Sequence, residues 1–62
     1  MERTFEGCVM RAKSEAKKTG KSYFVVIEGG VYDYCSQYNL DTFYVGIPER
    51  NILYNTDDGY YN

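Results

Sequence analysis

Histidine and tryptophan are absent from this chain of 62 residues, which has one proline and two cysteines. Without histidine, the chain lacks the side chain that most often acts as general acid or base at neutral pH, and a cysteine nucleophile would lack its imidazole base. Cys8 and Cys35 are too few for a disulfide framework and cannot by themselves complete a four-ligand zinc site. We therefore expect a non-enzymatic protein without metal or cofactor, whose cysteines are free, buried thiols.

Long apolar runs are absent as well. No run approaches the ~20 apolar residues of a membrane-spanning helix. The N-terminal stretch MERTFEGC is charged and lacks the apolar core of a signal peptide. We expect no membrane contact and a cytoplasmic location.

Two short stretches resemble ligand-binding loops without meeting their requirements. Thr19-Gly20-Lys21-Ser22 matches the end of a phosphate-binding loop, but position 15 is Glu rather than Gly, and a helix precedes the motif where a strand is needed. The acidic residues near the C-terminus lack the later Glu that a calcium loop requires. We interpret the first stretch as a helix C-terminus and the second as a turn.

The clearest structural pattern is a β-hairpin over residues 22–35, SYFVVIEGGVYDYC. Two runs rich in Tyr, Phe, Val and Ile flank Gly29-Gly30, and a Gly-Gly loop supplies the positive φ angles that type I′ and II′ turns require.

A helix is predicted over residues 4–19, before the hairpin. Its apolar residues recur at spacings of three and four along one face: Phe5, Cys8, Val9, Ala12 and Ala16. Thr4 can cap the N-terminus, and Gly20 can take the left-handed position that ends a helix.

The second half of the chain predicts more strands. Residues 36–41 are polar and are interpreted as a connection, and residues 42–47, TFYVGI, have the composition of a third strand. Pro48 ends that strand, and residues 51–55 predict a fourth; a rival interpretation places Pro48 at the start of a helix of one or two turns. Residues 56–62 form a turn-rich acidic tail.

Together these elements predict one α+β domain over residues 1–62, with the N-terminal helix packed on a three- or four-stranded antiparallel sheet. Pairing across the Gly-Gly loop gives the hairpin two faces. The uncharged face carries Tyr23, Val25, Ile27, Tyr32 and Tyr34, and the other carries Phe24, Val26, Glu28, Val31, Asp33 and Cys35.

We expect the helix to cover the uncharged face. One helix cannot cover both, so an apolar patch should remain on the other face unless the C-terminal segment folds across it. The sequence therefore predicts a homodimer or a complex with another protein rather than an isolated monomer.

Function is inferred from surface composition. The chain has eight tyrosines, and residues 22–62 hold one basic against six acidic side chains. Tyrosine is enriched at protein interfaces. We expect a small accessory protein of viral or phage-like type, an inhibitor or regulator that binds a protein partner or itself through a tyrosine-rich acidic sheet surface. The predicted partner-binding residues are Phe24, Val26, Val31, Asp33, Tyr38, Tyr44, Tyr60 and Tyr61.

The rival function is nucleic-acid binding. Residues 1–21 hold six basic against three acidic side chains, and sheet tyrosines could stack on bases. The predicted contacts are Arg11, Lys13, Lys17, Lys18 and Lys21. The acidic residues of the sheet argue against this function, because they would repel a phosphate backbone that crosses the aromatic side chains.

Overall fold

The computed structural model of the protein describes the backbone of residues 4–60 and the side chains of residues 4–59. The elements are α1 (Phe5–Thr19), β1 (Tyr23–Glu28), β2 (Val31–Ser36), α2 (Gln37–Thr42), a 3-10 helix (Glu49–Asn51), β3 (Ile52–Asn55) and β4 (Gly59–Tyr60). The strands form one antiparallel sheet in the order β2-β1-β3-β4. This architecture confirms the predicted α+β class, with an N-terminal helix on an antiparallel sheet.

The helix α1 has the predicted ends. The Oγ1 atom of Thr4 accepts a hydrogen bond from the amide of Gly7 at 3.0 Å, which satisfies one amide of the first turn. Gly20 has φ 74°, and its amide donates to the carbonyl of Ala16 at 2.8 Å.

The hairpin is confirmed, and its paired strands extend from Tyr23 opposite Ser36 to Glu28 opposite Val31. Gly29 and Gly30 have φ angles of 60° and 78°. Positive φ at both loop positions is the requirement of a type I′ turn, whose twist matches that of the strands.

The predicted third strand over residues 42–47 is wrong. Residues Gln37–Thr42 form α2, and Ser36 caps this helix by accepting a hydrogen bond from the amide of Asn39 at 3.2 Å. Residues 43–46 then form turns, with Gly46 at φ 84°. Of the aromatic and β-branched residues in 42–47, Tyr44 and Ile47 pack onto the sheet, whereas Phe43 and Val45 are exposed.

The two interpretations of residues 48–55 each hold in part. Pro48 precedes the 3-10 helix, and its carbonyl accepts a hydrogen bond from the amide of Asn51 at 2.9 Å. The strand β3 follows directly, at nearly the predicted place. The beginning of the predicted tail is also structured, because Gly59 and Tyr60 pair with β3.

The strand order forces the chain to cross the sheet. Both β2 and β3 pair with β1, on its two sides, so residues 37–51 must pass over β1 to connect them. We call residues 37–51 the crossover segment. Its helix α2 contacts β2 and β1, and its 3-10 helix contacts β1.

The core consists of two clusters, one on each face of the sheet. The α1 side confirms the predicted helix-covered face and contains Cys8, Val9, Ala12, Val25 and Tyr54, with Phe5, Tyr23, Tyr32 and Tyr34 packed around them. The crossover side contains Phe24, Val26 and Cys35, with Leu40, Tyr44, Ile47 and Ile52 packed around them. The chain therefore covers both faces of the hairpin by itself, and the expected bare patch on the second face is absent from the described part of the chain.

A β-bulge lets β3 contribute to both clusters. Val25 lies opposite Tyr54, and the next residue, Val26, lies opposite Ile52, which leaves Leu53 as the extra residue. Without the bulge, Tyr54 and Ile52 would face the same side of the sheet, since side chains alternate along a strand. With it, Tyr54 packs under α1 and Ile52 packs under the crossover segment.

Candidate functional site

The crossover segment is attached to the sheet by a hydrogen bond between two predicted partner-binding residues. The hydroxyl of Tyr44 donates to Oδ2 of Asp33 at 2.9 Å, while Oδ1 of Asp33 accepts from the amide of Tyr34 at 2.8 Å. Both side chains are half-buried. Asp33 and Tyr44 are thus brought together, and their contact orders the crossover segment.

Burial, and to a smaller extent the nearby carboxylates, raise the pKa of two side chains in this region. Burial, and then the hydrogen bond and charge of Asp33, raise the pKa of Tyr44 to about 12. Burial and the charge of Asp33 raise the pKa of Cys35 to about 11. Because the thiolate is the nucleophilic form, Cys35 at neutral pH is a packing residue. Cys8, which is also buried and outside any disulfide, lies in the cluster on the opposite face of the sheet.

The prediction that Phe24 and Val26 face a partner is wrong. Their side chains are 7% and 0% exposed, because Leu40, Tyr44 and Ile47 of the crossover segment pack over them. A partner could reach these two residues only if the crossover segment detached from the sheet.

Exposed apolar side chains are concentrated on the outside of the crossover segment instead. Tyr38, Phe43 and Val45 are 73%, 74% and 74% exposed, while their neighbours Leu40, Tyr44 and Ile47 face the sheet. In the part of the chain with described side chains, only Met10 (71%) and Val31 (60%) are comparable. We call Tyr38, Phe43 and Val45 the 38–45 surface.

Sequence reasoning found Tyr38 but not Phe43 or Val45, because both fell in the misassigned strand. Ser36 as a helix N-cap, and Gly46 followed closely by Pro48, were the local patterns that argue against a strand there.

The 38–45 surface lies on the acidic side of the molecule. Carboxylates on the crossover segment and on the sheet face beneath it outnumber the single cation of the segment, Arg50, and give a net charge of −3. These carboxylates are Glu28, Asp33, Asp41 and Glu49. Glu28 and Asp33 are close enough to raise the pKa of Tyr44 by their charge.

The basic residues lie on the other side, on α1 and just after it. Arg11, Lys13, Lys17, Lys18 and Lys21 are all exposed, as expected for nucleic-acid contacts. Against Glu6 and Glu15 they give residues 4–21 a net charge of +3. The Nζ atom of Lys13 lies 5.9 Å from the ring centroid of Tyr54, and that of Lys18 lies 3.8 Å from Oε1 of Glu15.

The tyrosines that would stack on bases are not beside these cations in an open position. Tyr23, Tyr32 and Tyr34 are half-buried beneath α1, and Tyr54 is buried. The only aromatic residue of α1, Phe5, packs on Tyr32 with ring centroids 5.8 Å apart. Among the side chains of residues 4–59, the helix therefore has exposed charge but no adjoining aromatic platform.

The remaining predicted contacts are Val31, Tyr60 and Tyr61. Val31 is exposed at the start of β2. The backbone of Tyr60 pairs with Tyr54, whereas the side chain of Tyr60 and all of Tyr61 lie outside the described residues. Within residues 4–60 no three His, Cys, Asp or Glu side chains are grouped as metal ligands. No helix in that range is long and apolar enough to cross a membrane.

Comparisons with protein-family models, with curated proteins and with solved structures find no match to this chain.

Proposed function

We propose that this chain is a small non-enzymatic binding protein, an inhibitor or regulator, that engages a protein partner through the 38–45 surface. The partner presents an apolar patch with basic residues around it. The observation that carries the proposal is the concentration of exposed apolar side chains on one short segment, Tyr38, Phe43 and Val45.

Large exposed apolar side chains favour association because burying them releases free energy, at ~25 cal/mol per Å² of apolar surface. Aromatic residues also dominate the energetics of protein interfaces. The hydrogen bond between Tyr44 and Asp33 holds the backbone that displays these side chains. A surface that is already ordered loses less conformational entropy on binding, so the same contacts give a tighter complex.

Charge supports a basic partner. The net charge of −3 around the 38–45 surface would attract a positively charged protein surface and repel nucleic acid. Cys8 and Cys35 do not form a disulfide, which suits a reducing compartment, and we propose the cytoplasm as the location.

The test is affinity capture from a lysate with four immobilised proteins: the parent, Phe43→Ser, Val45→Ser and Val31→Ser. Val31 is the control because it is also apolar and exposed, at 60%, but lies on β2. A partner of the 38–45 surface should be recovered by the parent and by Val31→Ser, and about tenfold less by the other two variants, a loss of ~1.4 kcal/mol. Equal recovery by all four proteins would contradict the proposal.

Nucleic-acid binding is the second candidate, and the net charge of +3 on residues 4–21 is the observation that favours it. In this function the exposed cations of α1 contact phosphates without base stacking. Fluorescence anisotropy with a labelled single-stranded oligonucleotide tests it: Lys17→Glu should weaken binding and reduce its salt dependence. Arg50→Glu, in the 3-10 helix and away from α1, lowers the net charge by the same amount and is the control.

A further inference from the structure

We propose that the protein associates with a second copy of itself head to tail, with the 38–45 surface of one copy against the outer face of α1 of the next. This inference names the partner for the proposed function and rests on it. Two independent features of the chain carry it: complementary charge and the placement of the two surfaces on opposite sides of the sheet.

The two surfaces match in charge. The side that bears the 38–45 surface has a net charge of −3, and residues 4–21 have a net charge of +3. The partner chemistry expected for the 38–45 surface is an apolar group among cations. The outer face of α1 supplies this combination, because Met10 is exposed, and the exposed residues Lys13 and Lys17 follow it at three and seven positions along the helix.

The placement of the surfaces determines the kind of assembly. The helix α1 covers one face of the sheet and the crossover segment covers the other, so each copy offers the two surfaces in opposite directions. A contact between two different surfaces has no two-fold axis. Each added copy leaves one surface of each kind open, so the assembly grows as a chain unless its geometry closes a ring.

Sedimentation velocity of the full chain over a range from low to high micromolar concentration tests this proposal. At low salt the mean mass should rise steadily with concentration and pass the mass of a dimer. In about 1 M NaCl the association should weaken strongly, because the screening length falls to ~3 Å. Nuclease treatment beforehand should change nothing; association lost on that treatment would mean bridging by nucleic acid and would overturn the proposal.

Charge-reversal variants sharpen the test. One variant carries Asp41→Lys with Glu49→Lys on the crossover segment, and the other carries Arg11→Glu with Lys17→Glu on α1. Each variant alone places like charges at the contact and should stay monomeric. An equimolar mixture restores opposite charges at every contact, −3 against +3 alternating with +1 against −1. It should associate more weakly than the parent but more strongly than either variant alone. Circular dichroism of each variant verifies that these surface substitutions preserve the fold.

The matched control compares Asp41→Lys with Asp58→Lys, which change the net charge equally. Only Asp41→Lys should weaken association, because Asp58 lies in the turn between β3 and β4. A parent protein that stays monomeric at every concentration, or a mixture that fails to associate, would overturn the head-to-tail contact. So would association that stops at a dimer. If the parent is monomeric yet Phe43→Ser still loses a captured lysate protein, the proposed function stands with a foreign partner; if capture is also unchanged, both proposals fail.

Discussion

At the scale of single residues, Tyr44 connects the crossover segment to the sheet through one hydroxyl group. Its hydrogen bond to the Asp33 carboxylate is charge-assisted, and such bonds contribute ~1.5–3 kcal/mol when buried. Because both side chains are half-buried, we expect Tyr44→Phe to lower the free energy of unfolding by about 1 kcal/mol, which lowers the melting temperature by about 4–8 °C in a domain of this size. Thermal melts measure the change.

Tyr38→Phe is the control for Tyr44→Phe. It removes the same atom from an exposed side chain and should alter stability by less than about 0.5 kcal/mol. Equal melting temperatures for the two variants would show that the Tyr44 hydroxyl does not hold the crossover segment.

Alkaline pH should lower the free energy of unfolding, because it ionises Cys35 and Tyr44. The folded state raises the pKa of Cys35 from 9.0 to about 11 and that of Tyr44 from 10.0 to about 12, so both groups hold their protons more tightly folded than unfolded. The resulting stability is fully present below pH 9 and is lost as the pH rises through about 11 for Cys35 and about 12 for Tyr44.

Urea unfolding at several values between pH 8 and pH 11.5 measures this loss. The double variant Cys35→Ala, Tyr44→Phe lacks both groups and should show a shallower decline than the parent. If the free energy of unfolding fell equally with pH in the two proteins, the raised pKa values of Cys35 and Tyr44 would be contradicted.

Residue identity alone predicted that the cysteines are buried, because cysteine is among the most buried residue types. It did not predict that Phe24 and Val26 are buried. Whether Phe24 and Val26 are exposed depends on what covers the second face of the sheet. The crossover segment covers it, and the sequence predicted a strand over residues 42–47 of that segment.

At the scale of elements, the hairpin loop gives the most direct test. Gly30 has φ 78°, and a Cβ atom there would meet no other atom within 4 Å, so any cost of a side chain arises from the backbone conformation. We expect Gly30→Val to lower the free energy of unfolding by about 1–2 kcal/mol, since a β-branched residue strongly disfavours positive φ.

Gly29→Asn is the matched substitution for Gly30→Val. Gly29 has φ 60°, and asparagine is favoured at the first central position of a type I′ turn. This variant should therefore melt close to the parent. Similar melting temperatures for Gly30→Val and Gly29→Asn would contradict the type I′ assignment.

The elements that the sequence predicted correctly are those with local determinants. The helix α1 has an apolar stripe and two caps, and the hairpin has a Gly-Gly loop between strand-forming runs. The crossover segment has a cap at Ser36 but no apolar stripe and no two-glycine loop. Its helix α2 is six residues long, too short to show a periodic pattern. Only Leu40, Tyr44 and Ile47 of the segment pack against the sheet, and their contacts are with a distant part of the chain. The bulge at Leu53 was not predicted either, because it places Tyr54 and Ile52 in two clusters that form only when distant parts of the chain meet.

At the scale of the whole molecule, both faces of the hairpin are covered by one chain. In the described part of the chain, the sheet therefore has no bare apolar face that would require a partner. The apolar surface that remains in water lies one layer further out, on the crossover segment, and it is this layer that supports the proposed binding function.

Replacing valine by aspartate at three positions distinguishes the buried second face of the sheet from the exposed surfaces. Val26 is fully buried beneath the crossover segment, Val31 is exposed on β2, and Val45 belongs to the 38–45 surface. An aspartate at position 26 would bury a charge without a cation among the residues packed on it, which costs several kcal/mol in a domain whose total stability is about 5–15 kcal/mol.

We therefore expect Val26→Asp to be largely unfolded at room temperature, whereas Val31→Asp and Val45→Asp keep the parent spectrum. Of the two folded variants, Val45→Asp should lose the partner recovered by the parent, because it places a charge in the proposed interface. Far-UV circular dichroism and the dispersion of amide proton signals, recorded at low protein concentration, measure the folding of all three. A Val26→Asp variant with native spectra would mean that the crossover segment does not seal the second face, and Phe24 and Val26 would then return as residues open to a partner.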